Sequence, residues 1–213
     1  MSKWVKRNYG WMIVVILGMV PFILMSKSIS VDFTQSGKEM FLFSNPDGFK
    51  GNQNITPLGF MMHLSGEFAL RWFTAVLTCT PFVILFGATK NLFVRQAMGI
   101  TCFVYSLLHF SVFLIDQGMV ATFSEVNYIL GLAGLMILLP LAITSNKKSM
   151  HHLKATWKKI QKWVYPAFIL SILHVALLDK NYMVYLIIVV IGVVLRIPII
   201  RTNVIGFRQR VFR

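Results

Sequence analysis

The feature that most constrains this chain is a series of long apolar runs separated by short charged segments. Its 56% hydrophobic content and mean hydropathy of +0.69 exceed those of a soluble domain of this length. A helix needs about 20 apolar residues to cross a bilayer and must satisfy its own backbone hydrogen bonds there. We therefore predict an all-α polytopic membrane protein, a six-transmembrane-helix bundle forming one domain over residues 1–213. The predicted spans are Trp11–Met25, Phe68–Gly87, Ala97–Ile115, Val126–Thr144, Trp163–Leu178 and Tyr182–Ile197.

The distribution of Lys and Arg predicts the orientation of this bundle. Sixteen of the 21 basic residues fall at the N-terminus, in the second and fourth connections, and at the C-terminus. Cytoplasmic segments carry such an excess, so we predict that both termini are cytoplasmic, in a bacterial-type inner (plasma) membrane or an organelle inner membrane. The first span lacks a following small-residue cleavage site and is expected to be a retained anchor.

Two connections between the spans are long enough to matter for function. The predicted outer loop, at about residues 26–67, is polar and either carries function and meets a partner or is a tolerated insertion. The predicted basic inner loop, at about residues 145–162, contains His151 and His152. We expect a solvated face there, with a platform for anionic membrane lipid or an electron-donor protein as the alternative.

Other features exclude some classes of protein. The net charge of +14 follows the topology and has no nucleic-acid recognition motif, so we expect no binding to nucleic acid. We find no internal repeat in the sequence, and the spans lack the paired acids and broken helices typical of transporters. Cys79 and Cys102 lie within predicted spans and are expected to be small core residues.

His109 and His174 are the most informative residues, because an ionisable side chain inside a membrane span is costly and usually functional. His109 lies 14 residues beyond Arg95, about 21 Å along a helix. His174 lies 12 to 15 residues beyond Lys162 and Lys159, so the two histidines should share one depth in the outer half of the membrane. Two neutral imidazoles on neighbouring helices can be the axial ligands of a haem iron. The alternative is that each imidazole only forms hydrogen bonds with serines or backbone carbonyls.

Two further residues are candidates for the same site. His63 precedes the second predicted span and could line the outer haem edge, pass a proton, or sit at the wet interface. Arg71 lies one turn into that span, where it must reach the interface or find an anion. A haem propionate and Glu67, four residues earlier on the same helix face, are its competing partners.

The ordered motifs along the chain resemble the MsrQ family of haem-binding membrane subunits, within the ferric-reductase-like transmembrane superfamily. The resemblance covers about residues 62–178. The matching motifs are Ser65-Gly66 with Ala69-Leu70-Arg71 and Thr80-Pro81, Arg95-Gln96 with Met98-Gly99, Leu107-Leu108-His109, Leu141-Ala142 with Thr144-Ser145, Trp157, Trp163-Val164-Tyr165 and Ile172-Leu173-His174.

The resemblance implies b-type haem held by histidines of the third and fifth spans, which match His109 and His174. It also implies electron supply from a quinone or a flavin reductase and delivery to a periplasmic molybdoenzyme, MsrP. Gln161 stands where the family has an inner histidine, and an amide is a poor axial ligand beside imidazole. We therefore predict one haem b in the outer half and no standard inner haem.

Two functions from different classes follow. The first is a membrane b-type cytochrome that carries electrons near the outer face, an electron-transfer subunit of an oxidoreductase rather than a complete enzyme. The second is an accessory subunit of a larger respiratory-type membrane complex, which keeps the scaffold and one haem without independent electron transfer. In either case we expect the partner to be a redox protein or a larger membrane complex, with the outer loop as its candidate contact.

Overall fold

The computed structural model describes residues 3–31, 41–43, 56–87 and 92–211. These residues form eight helices, a two-stranded antiparallel sheet and one turn of 3-10 helix at Val120–Phe123. The strands are β1 (Ile29–Val31) and β2 (Phe41–Phe43). The helices are α1 (Lys3–Ser26), α2 (Pro57–Phe86), α3 (Leu92–Gln117), α4 (Val126–Ile143), α5 (Lys147–Gln161), α6 (Val164–Leu177), α7 (Met183–Val194) and α8 (Pro198–Val211).

The prediction of an all-α polytopic membrane protein is confirmed. Within the described ranges four helical segments are long and apolar enough to cross a membrane, namely α2, α3, α4 and the α5–α6 segment. The pair α7 and α8 would make a fifth, although it is bent by 85°. The apolar part of α1 is shorter, at Gly10–Ser26. The six-helix count and the cytoplasmic termini therefore remain predictions.

The boundary of the outer loop was predicted wrongly. α2 begins at Pro57, where the Thr56 hydroxyl caps the helix by accepting a hydrogen bond from Gly59 N at 3.0 Å. The loop therefore ends at Thr56 and not at Glu67, because the polar residues of the first three turns were assigned to a loop although they continue the helix. Residues 32–40 and 44–55 of this loop lie outside the described residues.

The basic inner loop and the C-terminal segment are also helical. α5 occupies most of the predicted loop and begins at Lys147, after Asn146, whose side chain caps the helix by accepting a hydrogen bond from Ser149 N at 2.8 Å. It is rich in basic residues, contains no buried residue, and is kinked at Lys154, where the backbone leaves the helical region. Because the search for spans relied on apolar length, it could not detect a polar helix such as α5 or α8.

The core consists of two antiparallel helix pairs, α2 with α3 and α4 with α6. Small side chains allow close approach in both pairs, as is common between membrane helices. Cys102 Sγ lies 3.5 Å from the carbonyl oxygen of Ala69, and Ala167 is fully buried beside Gly134. An edge-to-face contact between Phe73 and Phe168, with centroids 5.4 Å apart, joins the two pairs.

The bundle has two chemically different ends. We call the end where α2 and α4 begin and α3 and α6 finish the histidine end, since it contains His109 and His174. The opposite end, with α5, α8 and the start of α3, is called the basic end. α8 is held there by Arg208, whose guanidinium donates to Val83 O at 3.2 Å and Ile84 O at 2.7 Å. The orientation predicted from charge puts the basic end in the cytoplasm.

Candidate haem-binding site

Each of the two membrane histidines is fixed by a backbone carbonyl of the neighbouring helix. His109 of α3 uses Nδ1 to contact Met62 O of α2 at 2.8 Å. His174 of α6 uses Nδ1 to contact Asn127 O of α4 at 2.6 Å. A carbonyl can only accept, so each Nδ1 carries the proton and each Nε2 is left with a free lone pair. Within the described part of the chain, neither Nε2 has a hydrogen-bond partner.

The separation of the two imidazole rings fits two axial ligands of one metal. Their centroids are 6.3 Å apart and their planes are inclined by 75°. An imidazole nitrogen binds a metal at about 2.0 to 2.1 Å and lies about 1.1 to 1.2 Å from the centroid of its own ring. Two imidazoles on opposite sides of one metal therefore have centroids about 6.2 to 6.6 Å apart.

Two ligands alone suit an iron that a macrocycle already holds. Among the described residues no group of three or more His, Cys, Asp or Glu could bind a metal ion. A bare ion would thus find only two protein donors, whereas haem brings four nitrogens of its own and needs at most two more. The alternative that the imidazoles merely bond to carbonyls accounts for Nδ1 of each ring but leaves Nε2 of each ring unused.

Two glycines provide the space in which the imidazoles lie. A Cβ on Gly66 would be 2.9 Å from Nδ1 of His109. A Cβ on Gly131 would be 3.1 Å from Nδ1 of His174. Both glycines lie one helical turn after the carbonyl that holds the ring. Each ring therefore packs directly on the backbone of the neighbouring helix, with no side chain in between.

The two histidine sites are copies of one arrangement, which corrects the prediction of no internal repeat. Each residue of the first site lies 65 positions before its counterpart: 62 and 127, 66 and 131, 109 and 174. The hydroxyls of Ser106 and Ser171 bond to the carbonyls four residues earlier in the same way. The sequences leading to the histidines, FVYSLLH at 103–109 and FILSILH at 168–174, match at four of seven positions. The repeat is short and interrupted, so only the shared geometry makes it visible.

The structure places the other two candidates on α2. His63 is exposed and lies one turn before Gly66, at the histidine end. Arg71 forms an ion pair with Glu67 and stacks on Phe68, with 4.8 Å between the guanidinium carbon and the ring centroid. It follows Gly66 by five residues, about 140° around the helix, so it does not share the face that carries His109. Of its two predicted partners, Glu67 is the one in contact.

Gln161 and the inner-loop histidines have no ligand-like arrangement. The Gln161 amide donates to Leu141 O at 3.2 Å and to Thr144 Oγ1 at 3.1 Å. Trp157 Nε1 donates to the carbonyl of Thr144 at 2.9 Å, so both side chains satisfy groups at the end of α4. His151 and His152 are exposed on α5.

Residues 60–172 match the family model of the ferric reductase like transmembrane component. The chain belongs to this family. Similar proteins include those named protein-methionine-sulfoxide reductase heme-binding subunit MsrQ. The one from Agrobacterium fabrum is 36% identical over 138 residues, which are 62% of this chain and 64% of that protein.

Two further relatives with the same name show a similar level of identity. The protein from Rhizobium meliloti is 36% identical over 145 residues, covering 63% of this chain and 67% of that protein. The one from Brucella ovis is 32% identical over 142 residues, covering 63% and 64%. No solved structure matches the chain. The predicted resemblance to MsrQ is confirmed, and the family match over residues 60–172 includes His109 and ends two residues before His174.

Sequence reasoning missed the residues that hold the imidazoles. Met62 and Asn127 act through backbone carbonyls, which no side-chain pattern can reveal. Gly66 had been noted only as part of a motif, and Gly131 had not been noted. Comparing the chain with itself at a shift of 65 residues would have aligned Gly66 with Gly131 and His109 with His174.

Proposed function

We propose that this protein is a membrane b-type cytochrome subunit in which His109 and His174 bind one haem b between the pairs α2–α3 and α4–α6. Its role is to carry electrons near the outer face of the membrane. The relatives' name, a haem-binding subunit of a methionine sulfoxide reductase, supports both the cofactor and the electron-transfer role.

The observation that carries this proposal is the arrangement of the two rings. Each Nδ1 is engaged by a carbonyl, each Nε2 is free, and the 6.3 Å between centroids agrees with two imidazoles bound to one metal. Metal-binding histidines usually donate their second N–H to a carbonyl or carboxylate, which fixes the tautomer and the ring orientation. Haem iron supplies the one-electron chemistry, and the protein supplies ligands and a dry pocket.

Two residues around the ligands have supporting roles in this proposal. His63 lies at the exposed rim of the site, where it can form a wall or exchange a proton with water. Arg71 contributes a positive charge on the neighbouring face of α2, held by its ion pair with Glu67. Its side chain is 49% exposed, so it can also reach a haem propionate, its other proposed partner.

The proposed electron path includes a donor and an acceptor outside this chain. By analogy with MsrQ, a quinol or a flavin reductase would supply electrons, and a periplasmic MsrP-like enzyme would accept them. With both termini in the cytoplasm, the histidine end faces the outer side, and Thr56 and the start of α2 lie there. A redox partner protein or a larger complex would dock there.

Spectra of the purified protein and of histidine variants test the ligand assignment. We expect a reduced-minus-oxidised b-type spectrum, lost in both His109→Ala and His174→Ala. His152→Ala is the matched control, since this histidine is exposed on α5 and should leave the spectrum unchanged. Added imidazole should restore part of the absorbance if the scaffold of a variant is intact. A wild-type spectrum in either alanine variant would refute the assignment.

The number of haems tests the prediction based on Gln161. We expect one haem per chain in a pyridine haemochromogen assay, because the Gln161 amide is tied to the end of α4. Two haems per chain would contradict this and would require a second ligand set at the basic end.

The alternative proposal is an accessory subunit of a larger membrane complex. The replacement of a family ligand by Gln161, with a structural role in its place, favours it. Gentle extraction followed by native-gel sizing separates the two proposals. A large stable assembly whose electron flow survives His109→Ala would support the accessory role, and loss of electron flow would support the cytochrome.

A further inference from the structure

A cavity of about 240 Å³ lies at the basic end, well away from the histidine pair. It is formed by the start of α3, the end of α4, the α5–α6 junction and Arg196, which follows α7. Gln96 lies in its wall 13 residues before His109, about 20 Å along the helix. A single water has a share of about 30 Å³ in the liquid, so the cavity can take a group of several atoms.

Two nitrogens in the wall of this cavity are buried donors without an acceptor. Gln96 is 9% exposed, and its Nε2 has no hydrogen-bond partner among the described residues. The same is true of Nε of Arg196. A buried donor left unpaired costs about 1 to 3 kcal/mol, so two in one cavity indicate that an acceptor from outside the chain binds there.

The charge around the cavity indicates that this acceptor belongs to a negatively charged ligand. Arg95, Lys158, Lys162 and Arg196 line it, and no acidic residue does. The whole sequence has no Asp or Glu in residues 68–115, 126–178 or 180–213, which contain every segment of the basic end. The terminal nitrogens of Arg196 donate to Tyr165 OH and Leu77 O, but these partners are neutral, and the four positive charges have no carboxylate beside them. A ligand of opposite charge would therefore be bound by Coulomb attraction and charge-assisted hydrogen bonds.

We propose that this cavity binds a phosphate group, and that the headgroup of an anionic phospholipid is its source. A phosphate has only acceptor oxygens to offer to Gln96 and Arg196, and its negative charge suits Lys158 and Lys162. The cavity lies at the level where α3 begins and the apolar part of the bundle ends, which is where lipid headgroups lie. The walls also include apolar and aromatic side chains, such as Phe73 and Tyr165, which suit the first carbons of a lipid.

Thermal unfolding in nanodiscs tests the proposal. The protein is placed in phosphatidylcholine discs, in discs with increasing phosphatidylglycerol, and in phosphatidylcholine discs with inorganic phosphate. We expect phosphatidylglycerol to raise Tm, and the double variant Lys158→Ala/Lys162→Ala to weaken its apparent affinity by about tenfold or more. An equal rise of Tm with inorganic phosphate would support the phosphate site and assign it to a soluble source.

Lys148→Ala/Lys159→Ala is the matched control, because it removes the same amount of charge from the basic end at positions that do not line the cavity. Its apparent affinity should change less than about twofold. Equal losses in the two double variants would overturn the proposal, since general attraction to an anionic surface would then explain the binding.

Gln96→Leu provides a test that does not depend on net charge. Removing an unpaired buried donor should leave Tm in pure phosphatidylcholine unchanged or higher, while the rise with phosphatidylglycerol shrinks. A fall of Tm in phosphatidylcholine with an unchanged phosphatidylglycerol effect would overturn the proposal. A second haem per chain that is lost in Gln96→Leu would also overturn it. None of these readouts depends on the haem at His109 and His174, so the two proposals can fail separately.

Discussion

The replacement of Gly66 by alanine is the sharpest perturbation of the proposed haem site. Gly66 belongs to α2 and has no side chain that could bind a metal or carry a charge. Its added methyl group would nevertheless lie 2.9 Å from Nδ1 and 3.0 Å from Cε1 of His109. Since atoms of this kind pack best at about 3.5 Å or more, the imidazole must move by about 0.5 Å.

The expected size of the effect follows from the hydrogen bond to Met62. A displacement away from α2 by about 0.5 Å would lengthen the 2.8 Å contact between Nδ1 and the Met62 carbonyl to about 3.3 Å, where little of the bond remains. Disturbing the groups that orient a metal-binding histidine typically costs 10- to 100-fold in affinity. We expect a loss of haem affinity of about that size in Gly66→Ala.

Two other glycines make the experiment a graded series. At Gly131 the new methyl group would be 3.1 Å from His174, so Gly131→Ala should lose haem affinity to a smaller extent. Gly99 lies in α3 and would meet nothing within 4 Å, so Gly99→Ala is the matched control. Alanine favours a helix over glycine by up to about 1 kcal/mol, and Gly99→Ala gains this preference without the clash.

The assay is haem transfer from the purified protein to an excess of apomyoglobin, followed by its absorbance. Haem should leave Gly66→Ala fastest, then Gly131→Ala, and Gly99→Ala at the wild-type rate. Thermal unfolding of the haem-free proteins should show no corresponding loss of stability. Equal transfer rates for Gly66→Ala and Gly99→Ala would refute the reasoning that the imidazole lies directly on α2.

Two further predictions concern the scaffold. Gln161→Leu removes two hydrogen bonds to the end of α4 and should lower the free energy of unfolding by about 1 kcal/mol, measured as a decrease in Tm of about 2 to 4 °C; an unchanged Tm would mean that the amide does not stabilise this junction. Fusion of GFP to either terminus should give fluorescent cells, while alkaline phosphatase fused at either terminus should stay inactive, because both termini are predicted to be cytoplasmic. An active phosphatase at the C-terminus would invert the proposed direction of electron flow.

The sequence was sufficient for the helices whose apolar length exceeds that of a soluble helix. α3 and α4 were predicted to within a few residues, because they begin and end where apolar composition changes abruptly. α2 was predicted too short, because its first three turns contain His63, Glu67 and several other polar or small residues. α5 was assigned to a loop, because its stabilising contacts come from polar side chains such as Gln161 and Trp157 that reach the end of α4.

The candidate site was predicted from the energetic cost of an ionisable side chain inside a membrane span and not from the shape of a binding pocket. An ionisable residue within an apolar span is expensive, and helical rise put His109 and His174 at the same depth. The chain's pattern could not reveal what fixes the tautomer of each ring, because backbone carbonyls at Met62 and Asn127 do so. Nor could the sequence predict that Arg71 would pair with Glu67, because a haem propionate and Glu67 carry the same negative charge and are equally suitable partners.

The 65-residue repeat relates residues at both ends of the bundle. His109 and His174 each follow a glutamine by 13 residues, Gln96 in α3 and Gln161 at the end of α5. The two histidines face each other at the histidine end, and the two glutamines line the same cavity at the basic end. At the histidine level both imidazoles have a free Nε2, a donor of electron pairs to a metal. At the glutamine level Gln161 donates to Leu141 O and Thr144 Oγ1, whereas Nε2 of Gln96 has no partner among the described residues and faces a cavity lined by basic side chains. In our two proposals this repeated arrangement binds a metal at one level and an anion at the other, and the residue types at the repeated positions determine which ligand each level binds.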